Sequence, residues 1–319
     1  VRTGAAAGHR GYFHETAFYS SDEEFLAIVV PFLQGALEAG EPAVVTLSDA
    51  NEKLVREAVP EASGLSFGDV EYGHPAGVIT TYRKLLAGHV ARGASQIRAV
   101  GDVPHPGMDM PWEAWARYEA TVNHAYDEFP LWGLCPYDTR TTPADVLVDV
   151  MATHPYTATA DGQHLANVRF EDPARFLARR SPAGADPLET TPPATIVIDP
   201  TPAAARHAVL DVAATSDLNH IELDDLVFAV SEAVSNGICH GRPPVRVRLW
   251  AAPDRIVATI TDHGGGPTNP FIGLLPTTGT FTAGLGLWLV HQMSPHVALR
   301  RTDDGFTVRL TAGVPNLTN

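Results

Sequence analysis

Glu232 and Asn236 stand four residues apart in Ser231-Glu232-Ala233-Val234-Ser235-Asn236-Gly237, so on a helix the carboxylate and the amide project from one face, one turn apart. Such a carboxylate suits a general base, and the neighbouring amide oxygen suits a magnesium ion. Downstream, in order, come Asp262-His263-Gly264-Gly265-Gly266 and Gly284-Leu285-Gly286-Leu287. Glycines let backbone approach a ligand closely, and the second cluster opens a helix pattern, where free N–H groups and the helix dipole receive phosphate. Each piece alone has an ordinary explanation: a solvated face for Glu232, Asn236 and His240, a turn for Asp262, close packing for the glycine pair. Their order along successive elements is what points to a nucleotide site.

The elements that must carry these residues are legible in the pattern. Leu223, Leu226, Val227, Val230 and Val234 form an apolar stripe at helical spacing, which predicts a helix from Leu223 to Ile238 with Glu232 and Asn236 on its other face. The run Ile256 to Thr261 predicts a strand leading straight into Asp262, placing a carboxylate where it can accept from an adenine amino group. With strands at Thr195 to Ile198, Val245 to Trp250, Val297 to Arg300 and Phe306 to Leu310, and helices at Ala203 to Ala213 and Leu285 to Met293, residues 195–319 read as an α+β sandwich with helices on one sheet face. The preceding stretch, 181–194, holds four prolines and almost no bulky apolar residue, and is expected to be a linker. Residues 1–180 alternate strand-like and helix-like segments, beginning with the capping box Ser21-Asp22-Glu23-Glu24 and a helix towards Ala39 that Pro31 is expected to kink. That alternation predicts an α/β domain with a parallel sheet covered by helices.

With those boxes in place, the C-terminal part resembles the GHKL ATPases, and residues 195 to 312 are similar to the bacterial anti-sigma-factor serine/threonine kinases. The resemblance implies a Bergerat-type α/β sandwich binding ATP and Mg²⁺, with Glu232 as general base and Asn236 as the Mg²⁺ ligand. It further implies that Asp262 contacts adenine, that Gly264 and Gly266 shape that pocket, and that Gly284 and Gly286 lie beside the phosphates. Thr307, in Gly305-Phe306-Thr307-Val308, matches the late threonine that supports the adenine contact. One departure stands out: no Lys or Arg occurs from Ile256 to Leu299, where kinases of this type place a base near the terminal phosphate. Arg242 or an arginine from a partner is the substitute the sequence offers.

The chain of 319 residues is long enough for two domains with cores of their own. Its formal charge is -15, with 1–180 at a net of -10 and 195–319 at -3, so neither part offers a basic surface for a phosphate backbone and direct nucleic-acid binding is not expected. The two cysteines, Cys135 and Cys239, exclude a disulfide framework; with no signal-peptide pattern and no long apolar run, a cytoplasmic protein away from the membrane is expected.

Residues 9 to 178 resemble the MEDS sensory domain, thought to be related to RecA-like ATPases, through His14-Glu15-Thr16-Ala17-Phe18-Tyr19, Gly40-Glu41-Pro42, Leu134-Cys135-Pro136-Tyr137-Asp138 and His154-Pro155. No P-loop run occurs in this part, so the resemblance implies sensing of a small ligand rather than a second ATPase. Cys135, Tyr137, Asp138 and His154 follow the strand pattern that opens at Leu131, where open α/β sheets collect ligands, and Cys135, Tyr137 and His154 with His14 form the candidate sensor pocket. His14, His105 and Cys135 would make a metal or haem site if the fold brought them together. Taken singly, each reads better as a core cysteine or a locally bonded histidine, and the aromatic helix Trp112, Trp115, Tyr118 reads as core. A Cys135 nucleophile with His154 as base lacks an oxyanion-hole pattern.

His14-Glu15 lacks the following proline and heptad helix of a histidine-kinase phosphoacceptor, and no transducer pattern follows the ATPase-like part. The expected function is therefore a protein serine/threonine kinase under sensory control. Its implied partners are a STAS-type anti-anti-sigma protein and a sigma factor, and the resemblance also allows a homodimer. The alternative is a non-catalytic switch that sequesters a sigma factor or other regulator when nucleotide or ligand binds.

Overall fold

A computed structural model describes residues 1–59, 64–68, 74–108, 110, 112–180, 184–275, 285–294, 296–302 and 305–313. The chain divides into two compact units, Val1–Arg179 and Arg180–Asn319.

In the first unit a seven-stranded sheet has the order β3-β2-β4-β5-β1-β6-β7. The strands are β1 (Phe13–Tyr19), β2 (Ala43–Thr46), β3 (Leu65–Phe67), β4 (Ile97–Gly101), β5 (Leu131–Asp138), β6 (Tyr156–Ala158) and β7 (His164–Ala166). All pairings are parallel except β6 with β7, a terminal antiparallel hairpin that the alternation did not predict. The helices are α1 (Asp22–Ala39), α2 (Asp49–Ala58), α3 (Pro75–Ala91), α4 (Trp112–Ala125), α5 (Ala144–Thr153) and α6 (Pro173–Arg179). α1 starts where expected, because the Ser21 side chain accepts from Glu24 N–H, and it ends at Gly40 in the left-handed conformation. Pro31 does not divide it: the helix runs from Asp22 to Ala39, its apolar stripe from Phe25 to Ala36 buried against the sheet. β5 is longer than expected and continues through Cys135 and Tyr137 to Asp138, because β1 pairs with it along its full length. Those residues therefore lie within a central strand, not beyond its end.

The second unit has a five-stranded antiparallel sheet, order β11-β12-β10-β9-β8, made of β8 (Thr195–Ile198), β9 (Arg246–Ala252), β10 (Arg255–Asp262), β11 (His296–Thr302) and β12 (Gly305–Gly313). Its helices are α7 (Pro202–Ala213), α8 (His220–His240) and α9 (Leu285–Met293). Val247, Leu249, Ile256, Ala258, Ile260, Val308 and Leu310 alternate onto one sheet face and share a core with the helices. α8 begins three residues earlier than its apolar stripe, because Asn219 accepts from Ile221 and Glu222 N–H while the Glu222 carboxylate accepts from Asn219 N–H.

The proline-rich stretch is not a bare linker. Asp186 caps a short 3₁₀ turn, Pro187–Thr190, and lies fully buried in an ion pair with Arg255 at 3.1 Å. Glu189 pairs with Arg309, and Trp250 Nε1 donates to Thr191 carbonyl at 2.9 Å. The segment is thus pinned to the sheet face opposite the helices. Its apolar poverty misled the composition argument, since here buried charge rather than apolar area does the anchoring. Among the described residues no helix is long and apolar enough to cross a membrane.

Candidate functional site

In the second unit, the polar face of α8 meets the start of α9. Glu232 and Asn236 are both half-buried, one turn apart, and a Cβ placed on Gly286 would come 2.9 Å from Asn236 Nδ2, 3.0 Å from its Oδ1 and 3.2 Å from Glu232 Oε2. Any side chain at Gly286 would occupy the space in which these two groups converge. Asn236 Nδ2 is buried with no hydrogen-bond partner. An amide without a partner at one of its two ends is costly to bury. Because the amide nitrogen and oxygen exchange places by a flip, that position can equally present an oxygen to a cation.

Asp262 ends β10 and is buried. Its Oδ1 accepts from Gly264 N–H at 2.6 Å and from Arg242 N–H at 3.2 Å, while His263 N–H donates to Arg242 carbonyl at 2.8 Å. Backbone donors therefore hold one carboxylate oxygen. Gly266 has φ +65 and lies against the Phe306 ring, so its backbone conformation and the close approach both require glycine. Thr307 sits opposite Thr261 in the β10–β12 ladder, and their hydroxyls hydrogen-bond at 2.9 Å. Gly284 lies outside the described residues. Of the residues singled out from the sequence, Glu232, Asn236 and Gly286 are brought together, and Asp262, Gly264, Gly266 and Thr307 gather around the end of β10.

In the first unit, His14 on β1, Cys135 on β5 and His154 at the end of α5 converge, joined by Glu119 from α4. His14, Glu119 and His154 are each 0% exposed. His14 Nε2 and His154 Nε2 each stand 3.5 Å from Glu119 Oε2, and Cys135 Sγ is 3.6 Å from His14 Nε2. Tyr137 donates its hydroxyl to Glu119 Oε1 at 2.7 Å. Burial lifts the Glu119 carboxyl to about 8, against the opposing hydrogen bond from Tyr137, and holds His154 down to about 4. Burial, then the neighbouring His154, pushes His14 well below the usual imidazole range, and burial followed by the nearby Glu119 raises the Cys135 thiol. A cavity of about 30 Å³ adjoins the cluster, lined by His14, Glu119, Cys135, Tyr12, Tyr82 and Tyr126 among others.

His105 is not part of this group: its Nδ1 accepts from Gly107 N–H and its Nε2 faces Thr142 Oγ1 at 3.4 Å. Asp138 is bound to Arg140 at the strand end. Glu119 and Asn123 were missed in the sequence, where the aromatic helix reads as plain core. The available signal was polar residues at positions 119 and 123, in helical register with Trp115 and therefore on a buried face.

A second and larger cavity, of about 500 Å³, is lined by Glu15, Arg98, Trp132, His164 and Phe32 among others. Glu15, Arg98 and His164 are matched there. Glu15, fully buried, accepts from Trp132 Nε1 at 2.6 Å and pairs with His164 at 2.7 Å. Arg98 pairs with Glu41 at 2.7 Å, donates to Phe32 carbonyl at 2.7 Å and stacks over the Trp132 ring at 4.5 Å.

Comparison with known families assigns each unit. Residues 13–155 match the MEDS family, "MEthanogen/methylotroph, DcmR Sensory domain", and residues 199–312 match the "Histidine kinase-like ATPase domain". The chain carries a MEDS domain followed by a GHKL-like ATPase domain. Among curated proteins none matches. Solved structures that resemble the chain include the RsbU and RsbW domains of Rv1364c from Mycobacterium tuberculosis, 19% identical over 38% of this chain and 33% of that one, with a TM-score of 0.27. Another is the histidine kinase domain of the E. coli osmosensor EnvZ, 16% identical over 40% of this chain and 94% of that one, with a TM-score of 0.24. This chain thus spans a third of the length of the first.

Proposed function

We propose that this protein is a signalling regulator in which the MEDS domain controls an ATP- and Mg²⁺-dependent protein serine/threonine kinase of the anti-sigma-factor type. The proposed substrate is a hydroxyl on a STAS-type anti-anti-sigma protein, with a sigma factor as a further partner. The observation that carries the reading is the convergence of Glu232 and Asn236 on Gly286, inside a domain that matches histidine kinase-like ATPases.

The donor set fits the cofactors this reading requires. Asn236 has an uncommitted amide end, and with the amide flipped that end presents an oxygen of the hard, neutral kind that magnesium accepts. Asp262 keeps an oxygen beside the one bound by backbone donors, suited to receive an exocyclic amino group, with Thr307 and Thr261 bridging the adjacent strands. Magnesium-bound ATP would supply the phosphoryl group and neutralise its charge. The protein's part is to position: Glu232, beside the amide and held half-buried, accepts the proton of the incoming hydroxyl, while Gly286 keeps the approach open.

A second reading has one specific observation in its favour. No lysine or arginine occurs from Ile256 to Leu299, and Arg242, exposed, uses its backbone to hold Asp262. A nucleotide-gated switch that sequesters its partner needs no base at the terminal phosphate; a kinase needs one, from Arg242 or from the partner. Incubation with [γ-³²P]ATP, Mg²⁺ and a panel of STAS proteins decides between them. Label transferred to a partner and abolished by Glu232→Ala supports the kinase. Nucleotide binding with no transfer to any partner, and partner retention that depends on nucleotide, would replace it with the switch.

A further inference from the structure

From the first unit's interior we infer a transition-metal site of the zinc class, formed by His14 Nε2, His154 Nε2, Cys135 Sγ and Glu119 Oε2. These atoms all lie within 4.8 Å of one another, and nothing in the proposed kinase reaction uses them.

Geometry separates a metal site from an ordinary hydrogen-bonded cluster. Both imidazoles stand 3.5 Å from Glu119 Oε2, and the Cys135 sulfur stands 3.6 Å from His14 Nε2. A proton shared between oxygen and nitrogen draws them to about 2.7–3.2 Å. Ligands around a tetrahedral zinc, with bonds of about 2.0–2.3 Å, stand about 3.3–3.6 Å apart. The two nitrogen–oxygen separations are too long for the first arrangement and match the second, and the sulfur–nitrogen distance is compatible with it.

The outer contacts decide which nitrogens face inward. His154 Nδ1 lies 2.8 Å from Val150 carbonyl, which can only accept, so Nδ1 carries the proton and Nε2 is a bare lone pair. His14 Nδ1 lies 3.0 Å from Asn123 Oδ1. That amide's orientation is set by its nitrogen, which donates to the carbonyls of Glu119 at 2.9 Å and Thr153 at 2.8 Å. His14 Nε2 is therefore bare as well. Carbonyl or amide partners on the outer nitrogens are the usual support of metal-bound histidines. Glu119 is oriented likewise, with Oε1 accepting from Tyr137 and Oε2 left inward.

Consequently Glu119 Oε2 and His154 Nε2 are buried without any hydrogen-bond partner. Inward-facing groups that approach one another no closer than 3.5 Å are poorly satisfied in a dry interior. A divalent cation satisfies them together, and thiolate plus carboxylate cancel its charge, so the buried site is neutral. Binding displaces the proton of Cys135, and that of Glu119 where it is present, to solvent. The adjoining cavity, at about 30 Å³, has room for a water-sized additional ligand.

The test uses the full chain carrying Cys239→Ser, which removes an exposed thiol and leaves Cys135 as the sole cysteine. Metal-free protein is titrated under reducing conditions with Co²⁺, then with competing Zn²⁺. We expect one equivalent of cobalt, tetrahedral d–d absorption and a near-ultraviolet sulfur-to-cobalt charge-transfer band that Zn²⁺ abolishes. That band can come only from Cys135. Asn123→Ala, which leaves all four ligands in place, is expected to weaken binding about 10- to 100-fold, typical of a lost outer-shell partner. Folded protein, checked by circular dichroism, that takes up no cobalt would overturn the site, as would cobalt bound without the charge-transfer band. Neither result bears on nucleotide binding, so the kinase reading stands or falls separately.

Discussion

The two units handle chemically capable side chains in opposite ways. In the MEDS domain the polar groups of interest come from β1, α4, β5 and the end of α5 and lie in the interior, His14, Glu119 and His154 with no exposure at all and Cys135 partly buried. In the ATPase-type domain Glu232 and Asn236 come from one helix, stay half-buried, and face a glycine that keeps the space before them clear. Enclosure suits a site that must hold something small and exclude water. A face kept open by glycine suits one that must admit a large ligand and release it. Substitutions should therefore cost mainly stability or bound ligand in the first unit, and mainly turnover in the second.

The largest effect expected from that contrast is at Glu232. Its replacement by alanine should lower phosphoryl transfer by about 10²- to 10⁴-fold, the range of general-base catalysis, while the melting temperature moves by no more than a surface substitution would move it. A large loss of stability instead would mean that this face behaves like the interior one.

Next comes Asp186, the exception within the second unit. It is fully buried against Arg255, so Asp186→Ala should destabilise that unit by about 3 kcal/mol, at the lower end for a broken buried pair, since Arg255 retains Asp254 at 3.1 Å. Urea denaturation followed at Trp250, which bonds to the same segment through Thr191, reads this directly. An unchanged midpoint would return the proline-rich stretch to the role of a loose tether.

Gly286→Ala is a smaller and more selective probe. The added methyl meets Asn236 and Glu232 at 2.9–3.2 Å, and overpacking of that kind costs about 1–3 kcal/mol. It should appear as weaker nucleotide affinity in calorimetry, with the melting temperature of the nucleotide-free protein less affected. Equal affinity for both proteins would remove Gly286 from the site.

The smallest effect concerns pH. The hydrogen bond from His164 to the buried Glu15 raises the imidazole above its usual value, against the opposing effect of burial. The folded state then holds a proton that the unfolded chain releases, so this stabilisation is complete below about pH 6.5 and is lost as pH rises through the raised value. His164→Gln should flatten the fall in melting temperature of the first unit as pH rises above about 6.5. An unaltered slope would show that the pair does not titrate as described.

The contrast also explains what could be read early. α8 and its polar face were legible because Glu232 and Asn236 share one helix, where four residues in sequence are one turn in space. The strand ending at Asp262 was equally local. By contrast, Cys135 and His154 were grouped with His14 through family resemblance and strand ends, Glu119 was not named because no periodicity reports such separations, and His105, named with His14 and Cys135, turned out to serve a local turn. The segment around Asp186 was misjudged for a related reason: the arginine it needed is 69 positions away.

Taken alone, the order of residues determined the two fold classes, the capped start of α1, and the pair Glu232 and Asn236 on one helix, because each depends on spacing within or between neighbouring elements. Only the tertiary structure decided which charges are buried together, that Gly286 stands against that pair, and that four donors from four elements converge in the first unit. The physical reason is that hydrogen bonding and packing along a helix or strand are set by near neighbours, whereas a buried polar cluster exists only once distant segments have excluded the water between them.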